Sequence, residues 1–243
     1  QVAKAQNQKK DYEMLMRRSH NWVNGVNPRT GWADGRHANG RWLMNRDLTS
    51  RLPFITEGAV IHYSFYVPHD IPGLIKAMGG RQSFVHKLDT LFGFRRDGHR
   101  DNTYYYWHGN EPCHHIAYLY ALAGEPRKTQ LLVSDILRTE YRDVPGGLSG
   151  NDDAGQMSAW QVFSMLGFYP VCPGSAEYVI GTPSFRRARI GRLTIETRGG
   201  GNGNCYIQRM TWNGQPYTRY TLSHEMLTDG GHLVIGLGPK LLR

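Results

Sequence analysis

The spacing of apolar residues changes at Pro170, and that change constrains the fold more than any other feature of the chain. Before Pro170 the sequence reads as successive short helices; after it, short β-rich runs alternate with turn residues. Proline sits near the first turn at Pro72, Pro112 and Pro126, and glycine follows the end at Gly79, Gly93, Gly124 and Gly167. Helix termini favour this arrangement, because proline's missing N–H is not needed at a helix start and glycine turns left-handed at no steric cost at its end. The spacing predicts helices over 2–23, 58–66, 70–78, 81–92, 112–123, 126–141 and 154–166. The run 116–123 is apolar on almost every face, as in an inner layer covered by a second one.

Strands are predicted over 178–180, 189–197, 205–212, 217–222 and 232–237, with Asn213-Gly214 as a hairpin turn between two of them. The fold class expected is mainly α with a β tail: a helical domain over 1–170 and a small antiparallel sheet over 171–243. Between the first helix and about Thr56 runs a long loop marked by Asn24-Gly25, Asn27-Pro28 and Asp34-Gly35. Loops of this length inside a domain are usually functional or disordered, and Trp32, Trp42 and Phe54 predict that this one is packed.

At 243 residues the chain can bury a sizeable core, as one large domain or two unequal ones. The net charge of +9 suits attraction to polyanions, but the basic residues are scattered in pairs such as Lys9-Lys10, Arg17-Arg18, Arg95-Arg96 and Arg186-Arg187. No basic helix or nucleic-acid module organises them, so no nucleic-acid partner is expected. Three cysteines, Cys113, Cys172 and Cys205, are too few for a disulfide framework, although one bridge is possible. No apolar run approaches the roughly 20 residues that cross a bilayer. Gln1 falls inside a helical pattern with no capping residue before it, which predicts a C-terminal piece of a longer protein.

Three acidic segments each precede an aromatic-rich helical pattern: Thr56-Glu57-Gly58, His108-Gly109-Asn110-Glu111-Pro112 and Gly150-Asn151-Asp152-Asp153. Acids at a helix start often only cap free N–H groups and complement the dipole. Glu57 has both readings open. It could cap the helix after it, or the apolar residues around it could strip its hydration and keep it protonated as a general acid. Asn110 and Glu111 are hard oxygen donors of the kind that suit Ca2+, and Asn151, Asp152 and Asp153 add more. The Cys113-His114-His115 run points weakly to zinc, because consecutive helical residues face different ways. Nothing in the sequence supports acyl, phosphoryl or hydride transfer, since the glycine run 199–203 lies between strands with no helix after it. Paired carboxylates, oxygen-ligand clusters and 14 Tyr with 6 Trp point to glycosidic bond chemistry.

The three acidic segments, with Tyr63-Ser64-Phe65-Tyr66-Val67-Pro68-His69-Asp70, His114-His115-Ile116-Ala117-Tyr118-Leu119-Tyr120, Gly167-Phe168-Tyr169-Pro170 and Gly181-Thr182-Pro183-Ser184-Phe185, resemble glycoside hydrolase family 92. Members are calcium-dependent, inverting, exo-acting α-mannosidases with an N-terminal β-sandwich and an (α/α)6 barrel. The resemblance runs in order over nearly the whole chain and covers only the latter half of such a protein. It therefore implies the C-terminal part of the barrel, a missing N-terminal β-sandwich domain and an incomplete sugar pocket.

Position by position, the resemblance implies Glu57 as general acid and Asp153 as general base, with Asn151 where some members carry a second acid. Asn110, Glu111 and Asp153 would surround Ca2+, and Trp107, His108 and Asp152 would meet the sugar. Ile61 stands where many members have Trp. The implied enzyme is secreted or periplasmic and releases mannose from mannose-containing glycans; a catalytically inactive carbohydrate-binding fragment of the same fold is the rival reading.

Overall fold

A computed structural model describes residues 1–44, 47–95, 99–101, 104–201 and 203–239. Arg96 of the basic pair and Asn202 of the glycine run lie outside them. The chain forms two compact units, Gln1–Tyr106 and Trp107–Arg243.

In the first unit the helix expected over 2–23 is broken into α1 (Val2–Ala5), α2 (Lys9–Ser19) and a 3-10 turn (Asn21–Gly25). The break falls at Asn7, whose φ of 57° is left-handed. α3 (Val60–Tyr63) and α4 (Ile71–Ala77) are shorter than predicted, whereas α5 (Arg81–Phe92) has the predicted bounds. Asp70 caps α4 by accepting from Gly73 N–H at 2.9 Å. The long loop is packed around Trp32, whereas Phe54, also expected to pack, is 39% exposed. Trp32 meets Phe65 edge-on at 5.9 Å, Lys87 Nζ lies 4.5 Å over the Trp32 ring, and Ser64 Oγ accepts from Ala33 N–H at 2.9 Å. Beneath lie Phe65, Leu74, Met78, Phe84, Leu88 and Leu91, all buried.

The second unit begins with an irregular segment where a helix over 112–123 was expected. It consists of two 3-10 turns (Glu111–Cys113 and Ile116–Tyr118) and a short α6 (Leu119–Leu122). The cause is a competing donor. Trp160 Nε1–H donates to His114 O at 2.9 Å, and Tyr118 N–H, which an α-helix would send to that carbonyl, bonds His115 O at 3.0 Å instead. α7 (Pro126–Thr139) and α8 (Gln156–Leu166) follow.

The β region is a correction to the expected antiparallel sheet. Strands β1 (Phe168–Tyr169), β2 (Glu177–Ile180) and β7 (Thr221–Ser223) form one antiparallel sheet in the order β1-β2-β7. A second sheet joins β3 (Arg187–Ile190), β4 (Leu193–Arg198), β5 (Tyr206–Trp212), β6 (Gln215–Pro216) and β8 (Gly231–Gly238) in the order β3-β4-β8-β5-β6. This sheet is mixed, because β8 runs parallel to β4, with Leu193 opposite Gly231 and Thr197 opposite Ile235. The predicted strand over 189–197 is two strands, turning at Gly191 and paired by Ile190 with Leu193. The Asn213-Gly214 hairpin is present, pairing Trp212 with Gln215. A short α9 (His224–Asp229), capped by Ser223, precedes β8. Leu193, Ile195, Ile207, Met210, Leu233 and Ile235 cluster with Phe168, Ile180 and Leu222 in one core, which explains why the sheet region reads as alternating apolar positions.

Candidate active site

Glu57 lies in the first unit, in the bend before α3. It is exposed, and Tyr63 Oη donates to its Oε2 at 3.3 Å. Of the residues expected to dehydrate it, Ile61 and Phe65 are buried in the core and Tyr66 is exposed, and Glu57 itself stays in contact with solvent. The helix cap is Ala59 and not Glu57. A histidine fixes this turn. Ala59 N–H can only donate, so His62 Nδ1, 3.0 Å away, is the acceptor; the ring proton is then on Nε2, which donates to Tyr105 O at 2.6 Å.

Trp107–Glu111 and Asn151–Asp153 lie in the second unit. The two segments meet at Gly109 and Gly150. A Cβ on Gly109 would stand 2.5 Å from Ser149 O, and one on Gly150 would stand 2.5 Å from Gly109 O. Both obstacles are backbone and cannot rotate away, so the apposition requires two glycines. It sets the amide and carboxylate of Asn110 and Glu111 on a chain segment adjoining the one that carries Asn151, Asp152 and Asp153.

The second segment is held in an uncommon backbone. Asp153, Ala154 and Gly155 are all left-handed, with φ of 46°, 57° and 93°. For Ala154 this costs about 1–2 kcal/mol, which the rest of the unit must offset. The run turns the carbonyls of the loop onto the start of α8, where Asp153 O accepts from Gln156 N–H and Asp152 O from Met157 N–H, each at 3.2 Å. Asp152 Oδ1 accepts from both the N–H and the hydroxyl of Ser158 at 2.9 Å. Gly155 is the N-cap residue of α8, and the Asp152 side chain satisfies the Ser158 N–H of its first turn from outside the helix. Asn151, Asp152 and Asp153 are exposed.

Under the junction lies a buried polar and aromatic layer. His108 is 2% exposed, and its Nε2 lies 2.7 Å from Tyr141 Oη, which itself donates to Met157 O at 3.0 Å. Tyr141's one proton is used there, so His108 Nε2 is the donor. His114 Nε2–H donates to His108 O at 2.9 Å, while Gln156 Nε2 donates to His114 Nδ1 at 3.3 Å. Trp160 packs across His108 at 4.4 Å and stacks on Tyr141 at 6.0 Å. Burial, with the neighbouring His114, lowers the pKa of His108 to about 3, and burial lowers that of His114 as well. Both rings are therefore neutral above mildly acidic pH. Tyr141, Gln156 and Trp160 escaped the sequence reading, because a buried hydrogen bond has no periodic signature.

Trp107 is 44% exposed, and His108 beside it is buried. Asn110 is buried, with its Oδ1 4.0 Å from Cys113 Sγ. Burial pushes the Cys113 thiol up to about 12, and both ring nitrogens of His114 are engaged, so neither of these two is poised as a zinc ligand. Among the described residues no three His, Cys, Asp or Glu side chains are gathered as a metal site, and all three cysteines are free. No helix among them is long and apolar enough to cross a membrane.

Residues 1–239 match the glycosyl hydrolase family 92 catalytic domain, and the chain belongs to that family. A protein of Arthroderma benhamiae described as an uncharacterized secreted glycosidase is 34% identical, over 95% of this chain and 33% of its own length. Among solved structures, the family GH92 α-mannosidase BT3965 of Bacteroides thetaiotaomicron in complex with mannoimidazole superposes with a TM-score of 0.89 at 33% identity, over 98% of this chain and 34% of that one. The family GH92 inverting mannosidase BT2199 of the same organism gives 0.85 at 31% identity, over 97% and 35%. The chain thus spans about a third of the length of each of these relatives.

Proposed function

We propose that this chain supplies part of the catalytic centre of a secreted or periplasmic, calcium-dependent, inverting exo-α-mannosidase that releases mannose from the ends of glycans. Family membership and likeness to two mannosidases support the substrate class. The observation that carries the reading is the Gly109–Gly150 apposition, which brings the segment of an amide-carboxylate pair against that of a paired-acid loop. In this reading the helices over 1–170 complete an (α/α)6 barrel, the sheets over 171–243 flank it, and a β-sandwich elsewhere in the enzyme closes the sugar pocket.

Glu57 would protonate the departing glycosidic oxygen, and Asp153, with Asn151 beside it, would take a proton from the attacking water. Inversion needs these two on opposite faces of the sugar, typically about 6.5–9.5 Å apart, with one water between. Asp152 and Asp153, being neighbours, cannot fill both roles, and the assignment to Glu57 and Asp153 draws acid and base from separate segments. Trp107 would stack on the sugar, His108 would hold it from beneath, and Asp152 would fix the loop that presents Asp153. The donor set of Asn110, Glu111 and Asp153 is all hard oxygen and fits calcium in kind. These residues would hold the ion, which would supply Lewis-acid coordination for sugar hydroxyls.

Stereochemistry tests the reading directly. Proton NMR during early turnover of an α-mannoside by the full-length protein is expected to show β-mannose first, since water attacks opposite the leaving group. α-Mannose as the first product would overturn it. Tight mannose binding with no turnover would favour the inactive carbohydrate-binding alternative.

A further inference from the structure

The second unit holds a cleft of about 640 Å3 that shares no residue with the segments around Gly109 and Gly150. It is bounded by Ser134 and Leu137 of α7, the 182–186 segment, Thr197 of β4, and Gly199, Gly200, Gly201 and Gly203. Its volume is in the range of small-ligand sites. One wall must be bare backbone, because Gly199 is left-handed (φ 75°) and a Cβ there would stand 2.4 Å from Leu237 O.

The lining combines three kinds of group. Phe185 supplies an aromatic ring to the lining and is 42% exposed. Arg186 is exposed beside it, and Ser134, Ser184 and Thr197 contribute hydroxyls. Thr197 Oγ1 is buried and has no hydrogen-bond partner among the described residues. A buried hydroxyl left unpaired costs roughly 1–3 kcal/mol, so it favours a ligand that brings its own hydroxyl. Among the described residues that line the cleft there is no carboxylate, so it lacks the paired acids of glycosidic bond chemistry. An aromatic face for C–H surfaces, hydroxyls and a guanidinium for hydroxyl and ring oxygens, and no catalytic acid together describe a binding site for one or two sugar rings.

We propose that this cleft is an accessory saccharide site that holds a mannose-containing branch while another branch end is trimmed. The identity of the sugar rests on the glycosidase reading above; the cleft's saccharide chemistry does not. Phe185 is the stacking platform and Thr197 Oγ1 the buried acceptor or donor for one hydroxyl.

The test uses the full-length protein carrying Glu57→Gln, so that polymer is not consumed, in native gels cast with and without yeast mannan. Adding Phe185→Ala is expected to weaken retardation by mannan about fivefold to tenfold, equivalent to about 1–1.4 kcal/mol. Adding Thr197→Val, which keeps the shape and removes the hydroxyl, should weaken it in the same direction. In the enzyme with Glu57 intact, Phe185→Ala should raise KM for mannan and leave kcat/KM for an aryl α-mannoside unchanged. Retardation unaltered by both substitutions would overturn the proposal, as would loss of aryl mannoside turnover in Phe185→Ala, because a site separate from the chemistry cannot affect a single-sugar substrate. If the protein with Glu57 intact hydrolyses no aryl α-mannoside, the glycosidase reading fails, and the gel comparison still decides the cleft.

Discussion

Gly109 and Gly150 touch backbone to backbone, so neither position tolerates a side chain. Gly109→Ala or Gly150→Ala must push two segments apart by several tenths of an ångström or more, at the point where both rest on the His108–Tyr141–Trp160 layer. Each is expected to destabilise the protein by about 2 kcal/mol or more, and the double variant by less than the sum, since the first separation makes room for the second. Urea unfolding measures this. Gly25→Ala, where a Cβ meets nothing within 4 Å, is the control and should lie within about 0.5 kcal/mol of wild type.

Ala154 offers the opposite sign. Its left-handed φ of 57° is a conformation that glycine adopts freely. Ala154→Gly should therefore stabilise by about 0.5–1 kcal/mol, the strain relieved less the extra entropy of glycine in the unfolded chain. Asp152→Ala, in contrast, removes an acceptor from Ser158 N–H and should cost about 1 kcal/mol. If Ala154→Gly lowers the midpoint of thermal unfolding, the loop stores no strain.

The buried histidines make the second unit acid-sensitive. Folded, His108 resists protonation down to about pH 3 and His114 is shifted the same way; unfolded, both titrate near 6.5. Below about pH 6.5 the unfolded state binds protons that the folded state refuses, so stability falls with falling pH by up to ~1.4 kcal/mol per unit for each histidine. Urea midpoints between pH 7.5 and 4.5, taken in chelator so that no bound ion contributes, should decline across that window. A flat profile would mean that these rings are protonated in the folded protein.

Much of the helical order was legible because it is local. α5 matches its predicted bounds, and the 213–214 hairpin follows from two residues. What failed was long-range. Trp160, more than forty residues away, takes the His114 carbonyl and converts a predicted helix into 3-10 turns. The parallel pairing of β4 with β8 is equally invisible, since alternation of apolar residues is the same in both directions. Of the candidate site, the oxygen-rich segments were readable as chemistry. Their support by Tyr141 and Gln156, and the backbone contact that joins two of them, are properties of the folded chain alone.

Calcium dependence should show as binding as well as rate. If Asn110, Glu111 and Asp153 hold the ion, chelation of the full-length protein abolishes activity and added Ca2+ restores it. Ca2+ should also raise the unfolding temperature, by mass action on the folded state, and Glu111→Gln should remove that rise. Full activity in excess chelator, with no Ca2+-dependent thermal shift, would exclude the site.

The proton donor can be identified through the leaving group. A general acid contributes typically 10²–10⁴ in rate, most of it for substrates whose departing alcohol is a poor leaving group. Glu57 is exposed and reached by Tyr63 Oη, so Glu57→Gln is close to isosteric and keeps a hydrogen-bonding side chain at that position. The variant should be nearly inert on mannobiose, yet keep much of its rate on an aryl mannoside with an activated phenol, which departs without protonation. A structural role for Glu57 would depress both substrates alike, and in that outcome the acid must be sought outside this turn.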